Sequence, residues 1–188
     1  MADPSPRPTA RNLSSTEVKR LHREWRHRSA GRVSLALDGV QGPFNVGALI
    51  RTAAAYRVET LWLTDTATGP DNPKVSKTAL GTDRYLDVRR EADATAVAEA
   101  ARAEGFTVVG IELADGAEPL HEADLGQTVC LMFGHEDRGL SRGALGSCDR
   151  LAFIPMLGKV GSLNVATAAS IALYEIRRRH WSTHPVVG

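Results

Sequence analysis

Two cysteines, three tryptophans, three tyrosines and four phenylalanines in 188 residues leave little material for disulfide staples or a broad aromatic face. Cys130 falls in a strand-like run and Cys148 beside a turn, with no CxxC spacing and no neighbouring histidine pair. That excludes a zinc ribbon or a disulfide scaffold, so both are expected to be structural thiols and no metal is expected. No stretch approaches the roughly 18 uninterrupted apolar residues of a membrane helix, and the opening MADPSPRPTA lacks the apolar core of a secretion signal. A cytoplasmic location is the expectation. An excess of one charge is missing too: the net charge is +1, so the chain as a whole exerts no electrostatic pull on a polyanion. What is present, 43% hydrophobic residues with both charge signs mixed, suits a soluble globular domain with terminal additions.

The basic charge is unevenly placed. Residues 1–32 hold Arg7, Arg11, Lys19, Arg20, Arg23, Arg26, Arg28 and Arg32 against Asp3, Glu17 and Glu24, and Arg177, Arg178 and Arg179 adjoin the other end. Residues 1–12 read as a flexible lead. A helix follows: Ser14 with Glu17 three residues on fits a capping box, Val18, Leu21 and Trp25 share a face, and Gly31 is placed to end the element. Its other faces are basic, which suits either an ordinary solvated surface or contact with RNA phosphates through Lys19, Arg20, Arg23 and Arg26. The division expected is a basic extension with one helix over 1–31, a main domain over 32–180 and a tail over 181–188.

From residue 32 onward, strand and helix alternate. Strands are predicted over 32–40, 59–64, 85–88, 106–113, 128–133 and 150–155, and helices over 46–56, 75–80, 94–104, 141–146 and 164–180. This implies an α/β fold with a mostly parallel sheet and helices on both faces, ligands gathering beyond the carboxyl ends of the strands.

Three of those ends carry unusual chemistry. In "GPFNVGALIRTAAAY", Asn45 can cap the helix, Gly47 permits close approach, and Arg51 is carried among small and apolar residues, where a guanidinium needs an anion, a carbonyl or a structural ion pair. In "LMFGHEDRGLS", Gly134 at a strand exit opens the backbone to a ligand, while His135 is expected to be exposed. In "IPMLGKVGSLNVATAASIALYE", Gly158 and Gly161 make a pliable loop, and Ser162 or Asn164 can cap a helix whose free amides suit an anion.

Together, in order and spacing, "NVGALIRTA", "FGHEDRGLS" and "IPMLGKVGSLNVATAASIALYE" resemble the three motifs of the SpoU/TrmH group of SPOUT RNA 2'-O-ribose methyltransferases, over about residues 33 to 176. The resemblance implies a SPOUT-like fold whose last third is threaded into a deep trefoil knot, a homodimer, and S-adenosylmethionine as cofactor. Knots are nearly absent among folds, so this expectation comes from the resemblance alone. By the same analogy Ile111, Gly134, Ile154, Met156, Ser162 and Leu163 bind the cofactor, largely through backbone groups. Arg51 acts on the ribose hydroxyl, orienting it together with a substrate phosphate and also contacting RNA. Asn45 fixes the loop that presents Arg51, Glu136 holds the knot loop or the arginine, and Ser162 and Asn164 position substrate or cofactor.

Ribosomal members of that group often carry a separate amino-terminal RNA-binding domain, for which the roughly thirty residues ahead of the first strand are too few. A short basic helix at each end instead resembles the tRNA-modifying members, so the resemblance implies tRNA, with the loop sequence closer to enzymes that methylate the D-loop guanosine than to the minimal anticodon-wobble enzymes. An rRNA 2'-O-methyltransferase is the nearest alternative. Two readings from other classes are a knotted RNA-binding module without catalysis and a doubly wound oxidoreductase. The first is opposed by the presence of Arg51, Glu136, Ser162 and Asn164, and the second by GVQGPFNVG standing where GxGxxG belongs.

Overall fold

Runs such as Val33 to Leu37, Leu61 to Leu63 and Val129 to Phe133 are apolar at nearly every position, the pattern of strands covered on both faces. The computed structural model describes residues 10–182 and makes these runs the centre of a parallel sheet. Most of the proline-containing lead and nearly all of the tail lie outside the described residues. The strands are β1 (Arg32–Asp38), β2 (Thr60–Thr64), β3 (Asp87–Glu91), β4 (Thr107–Ile111), β5 (Glu118–Pro119), β6 (Thr128–Gly134) and β7 (Arg150–Phe153). The helices are α1 (Ser15–His27), α2 (Pro43–Ala55), α3 (Pro73–Ala79), α4 (Ala94–Ala103), α5 (Arg142–Ser147) and α6 (Val165–Ser182). All strand pairs are parallel, in the order β3-β2-β1-β6-β4-β7-β5.

That order matters for function. The chain steps outward from β1 to β3, then crosses to build the other half, and β6 enters between β1 and β4 while β7 enters between β4 and β5. The reversal lies at the centre of the sheet, where the strand ends diverge and leave a crevice. Alternate residues feed two cores. Leu35, Leu37, Leu131 and Phe133 pack with α2, α3 and α6 residues on one face; Ala36, Trp62, Cys130 and Met132 pack with α4 and α5 on the other. Each fully buried leucine or phenylalanine contributes about 1.5–3 kcal/mol. Burial raises the thiol pKa of Cys130 to about 12 and of Cys148 to about 11, as suits inert structural thiols.

Several expectations change. The strand predicted over 85–88 begins at Asp87, because Thr82–Tyr85 forms a 3-10 turn after Gly81 in the left-handed region. The two-residue strand β5 had not been anticipated. Helix α2 begins at Pro43 rather than residue 46, and its cap is Gly42 with no side-chain hydrogen bond, not Asn45. Proline at the first helical position supplies a fixed φ and lacks an amide that would need a partner. The capping box of α1 is present as expected, yet no residue of α1 is buried: Leu21 is 40% and Trp25 39% exposed. The helix is tied down by Trp25 against Trp181, ring centroids 5.0 Å apart, and Tyr174 meets the same ring edge-on.

The Arg177–Arg179 run is not a free basic face. Arg177 is 5% exposed and donates to the carbonyls of Tyr56, Arg57 and Gly31 at 2.7–2.8 Å. Burial, aided by the charge of Arg57, pulls its guanidinium down to about 10. Arg178 and Arg179 both pair with Glu175 at 2.8 Å, and Arg179 also donates to Leu120 and Ala123 carbonyls. Arg177 and Arg179 hold α6 in place, while among the described residues Arg178 pairs only along the helix.

Candidate functional site

The carboxyl ends of β4, β6 and β7 lie side by side, and the loops leaving them wall a cleft of about 340 Å³, within the usual range for small-molecule sites. Ile111 closes β4 and Gly134 closes β6, while Ile154, Met156, Ser162 and Leu163 come from the chain after β7; all six line this one cleft. After Gly134 the backbone doubles back at once. The His135 amide donates to the Gly139 carbonyl (3.0 Å) and the Gly139 amide to the His135 carbonyl (2.8 Å). A Cβ on Gly134 would overlap the backbone of Gly139 and Leu140, so this wall is bare main chain by necessity. His135 is half-buried rather than exposed, its Nδ1 accepting from the Asp137 amide (3.1 Å).

Three polar side chains tie the three motifs together. Glu136 accepts from the amides of Gly42 (2.8 Å) and Gln41 (3.2 Å) and from Asn45 Nδ2 (3.0 Å). Asn45 Oδ1 in turn accepts from Asn164 Nδ2 (2.9 Å). Asn164 Oδ1 accepts from the amides of Ala166 (3.0 Å) and Thr167 (3.3 Å), so Asn164, and not Ser162, caps α6. Burial pushes the Glu136 carboxyl pKa up, but the hydrogen bonds from Asn45, its own amide, Gly42 and Gln41 outweigh it and hold the pKa below the usual carboxylate range. A Cβ on Gly42 would stand 2.6 Å from Glu136 Oε1 and 2.9 Å from Asn45 Nδ2, so a side chain there would push both out of this network. Glu136 therefore clamps the chain ahead of α2, and it does not touch Arg51.

Arg51 is placed elsewhere. It lies six residues beyond Asn45, which in an α-helix is roughly 9 Å along the axis and about two-thirds of a turn around it. It does not line the cleft of its own chain. Instead it is exposed in a second cleft of about 580 Å³ between α1 and α2, with Arg26, Arg57, Trp25, Tyr56 and Tyr85. Among the described residues the Arg51 side chain has no hydrogen bond or ion pair, so the structural ion pair left open for it is not formed with any of them. Lys19, Arg20, Arg23 and Arg26 are exposed along α1.

Sequence reasoning passed over Glu112, which lines the first cleft. Its Oε2 accepts from the Leu140 amide (3.0 Å) and its Oε1 from the Leu113 amide (3.1 Å), bracing the turn at Gly139. Asp38 was passed over as well; its Oδ2 accepts from the Ser141 amide (2.7 Å) at the start of α5. Both are acidic residues just at or past the carboxyl end of a strand, a signal that was available.

A family model described as the SpoU rRNA Methylase family matches residues 32–174. An uncharacterized tRNA/rRNA methyltransferase of Synechocystis sp. is 33% identical over 151 residues, 80% of this chain and 55% of that protein. A second from the same organism is 34% identical over 159 residues, 85% of this chain and 41% of its own length. The chain thus spans about half the length of these curated relatives. Among solved structures, the SpoU methyltransferase AviRb of Streptomyces viridochromogenes in complex with AdoMet superposes with TM-score 0.73 and 31% identity, covering 81% of this chain and 59% of that one. A structure concerned with the 2-OH methylation of C/U34 on tRNA gives TM-score 0.71 and 32% identity, covering 82% of this chain and 99% of that one. With a model match running from the first residue of β1 to the middle of α6, and relatives above 30% identity over four-fifths of its length, the chain belongs to the SpoU rRNA methylase family.

Proposed function

We propose that the chain is an S-adenosylmethionine-dependent RNA methyltransferase acting on a ribose 2'-hydroxyl, in tRNA and of the D-loop guanosine type. The observation that carries the reading is the first cleft, where bare backbone at Gly134 meets apolar walls from Ile111, Phe133, Ile154 and Leu163. Glu112, Glu136 and Asp137 also line it, against Arg138 and His135. Such a lining suits a ligand with a flat adenosine and a positive centre, held mainly through peptide groups. When bound, the cofactor supplies an electrophilic methyl group on a sulfonium. In the reaction one O–C bond forms, one S–C bond breaks and the hydroxyl proton is released.

The chain's own residues then have three tasks. The Gly134–Gly139 turn and the loop after β7 enclose the reacting atoms and keep water out. The Glu136–Asn45–Asn164 network locks that loop to the start of α2, so the cleft holds one shape. Arg51 orients the ribose hydroxyl and an adjacent phosphate through its planar donors; a guanidinium keeps its proton and so serves better as orienter than as base. Because Arg51 faces away from the cleft of its own chain, the reading requires a homodimer in which each copy presents Arg51 to the cleft of the other. Threading of the last third through a trefoil knot belongs to the same reading, and the insertion of β6 and β7 between earlier strands supports it.

Support for tRNA comes from the near-complete coverage of the structure concerned with tRNA 2-OH methylation. Ribosomal RNA is the second reading, favoured by the rRNA description of the family model. Incubation with methyl-labelled cofactor and total tRNA or rRNA, then nuclease mapping of the label, tests both. Label in a tRNA D-loop ribose is expected. Label confined to rRNA selects the second reading, and label on a base overturns the 2'-hydroxyl assignment.

A further inference from the structure

The cleft between α1 and α2 has its own chemistry. Arg26, Arg51 and Arg57 line it without a hydrogen bond or ion pair from their side chains among the described residues, and no described carboxylate lines it. Elsewhere on the surface Arg32, Arg89, Arg102 and Arg178 each pair with a carboxylate. Three guanidiniums with no carboxylate partner among the described residues set up a positive field in one concavity, and such a field attracts an anion.

Aromatic rings share the same walls: Trp25, Tyr56, Tyr85 and Trp181. Tyr85 is 63% exposed, with the Arg84 guanidinium 4.8 Å from its ring centroid, and Trp25 is 39% exposed. Trp25 and Trp181 pack on each other and Tyr56 packs against the core, so Tyr85 and then Trp25 leave the most ring surface open to a ligand. The floor is firmly fixed. Arg57 sits at φ +54, a conformation costly for a side-chain-bearing residue, and its carbonyl is held by Arg177 Nη2 at 2.8 Å.

We infer that this cleft binds an unpaired RNA nucleotide, its base stacked on the exposed rings and its flanking phosphates held by Arg26 and Arg57 beside Arg51. Guanidiniums alone would suit an acidic peptide equally. Rings interleaved with unpaired cations are the pattern that takes single-stranded nucleic acid. The identity of the RNA rests on the methyltransferase reading above; the nucleotide would be the neighbour of the one whose ribose Arg51 orients.

Fluorescence reports on the cleft directly, because Trp25 and Trp181 line it while Trp62 is buried in the α4 core. The full chain is titrated with a mixed-sequence single-stranded RNA heptamer and with a duplex of the same sequence, following tryptophan quenching and anisotropy. Expected are quenching by the single strand in preference to the duplex, and about tenfold weaker binding by Tyr85→Ala. Tyr85→Phe should retain affinity. The double variant Arg26→Gln, Arg57→Gln should lower the salt slope by about 1.4, as for two single-strand phosphate contacts. Cofactor affinity by calorimetry should stay unchanged in all of these.

RNA affinity indifferent to Tyr85→Ala and to the arginine pair overturns the inference while leaving the methyltransferase reading intact. A loss of dimer mass by light scattering in these variants, with RNA affinity retained, means that a second copy covers the cleft and also overturns it. Failure of the wild-type chain to bind S-adenosylmethionine or transfer methyl would instead remove the functional reading and leave the nucleotide cleft to stand on its own binding data.

Discussion

At the cleft beyond the ends of β4, β6 and β7, the side chains that fix the loops are answered within the fold: Glu136 by two amides and Asn45, Asn45 by Asn164, and Glu112 by two amides. In the cleft under α1, Arg26, Arg51 and Arg57 are answered by nothing described. The first region is over-determined, with glycines where no Cβ fits, and such a region can hold one small ligand in one pose. The second keeps free charge and open rings, which cost little in water and become useful when a polyanion arrives. Preorganisation in one place and unspent charge in the other match a division between cofactor and nucleic acid.

The largest effect expected separates the two at their most rigid point. Gly134→Ala forces a methyl into the backbone of Gly139 and Leu140, and the turn has no flexible side chain to yield. Calorimetry should show cofactor binding lost, while RNA affinity measured by anisotropy stays near wild type. Retained cofactor affinity in that variant would break the assignment of the first cleft.

Arg51→Ala is the reverse case. Cofactor binding should be unchanged, since Arg51 does not line the first cleft, whereas turnover falls by about 100-fold through lost orientation. Arg51→Lys should fail as well, because a point charge cannot replace a planar fork. Mixing Arg51→Ala with Gly134→Ala subunits sharpens the comparison: partial recovery of activity is expected if each copy serves the other's cleft.

What could be read from the sequence follows the same division. Strands buried on both faces announce themselves as apolar runs, so β1, β2, β4 and β6 were legible, and the partly buried β7 was read from its short apolar run, all with ends shifted by at most two residues. A two-residue strand such as β5 has no periodicity to read. The six cleft residues were found through motif resemblance, and they do gather in one place. Asn45 was misjudged as a cap because asparagine favours that position, while the proline two residues earlier already marked the helix start. The basic run at Arg177 was misjudged for a deeper reason. Its carbonyl partners at Tyr56 and Arg57 lie some 120 positions away, and charge in a sequence does not say whether it will be buried.

Arg177→Met tests whether the second cleft depends on its floor. Losing charged hydrogen bonds to Tyr56, Arg57 and Gly31 carbonyls should cost about 3 kcal/mol, lowering the melting temperature by about 6–12 °C. RNA affinity should fall with it, since Arg57 loses its tether. Unchanged stability would mean that water replaces the guanidinium and that the floor is less fixed than its geometry indicates.

The smallest effect concerns the clamp between the clefts. Hydrogen bonds outweigh burial and lower the Glu136 pKa in the folded chain, so the carboxylate contributes stability that is fully present above its unfolded value, near 4.5. That contribution is lost as pH falls below this value and through the folded pKa. Glu136→Gln removes the titrating group and turns an amide nitrogen toward the donors of Gly42, Gln41 and Asn45, so one of them loses its acceptor. At neutral pH the cost should be about 1 kcal/mol, or about 2–4 °C in melting temperature. As pH falls below about 4.5 and through the lowered folded pKa, the wild type should lose more stability than the variant, and the two melting temperatures should approach each other as the carboxylate takes up its proton. Parallel loss in both proteins would show that Glu136 holds no special charge in the fold, and the locked link between the start of α2 and the cleft would then have to rest on Asn45 and Asn164 alone.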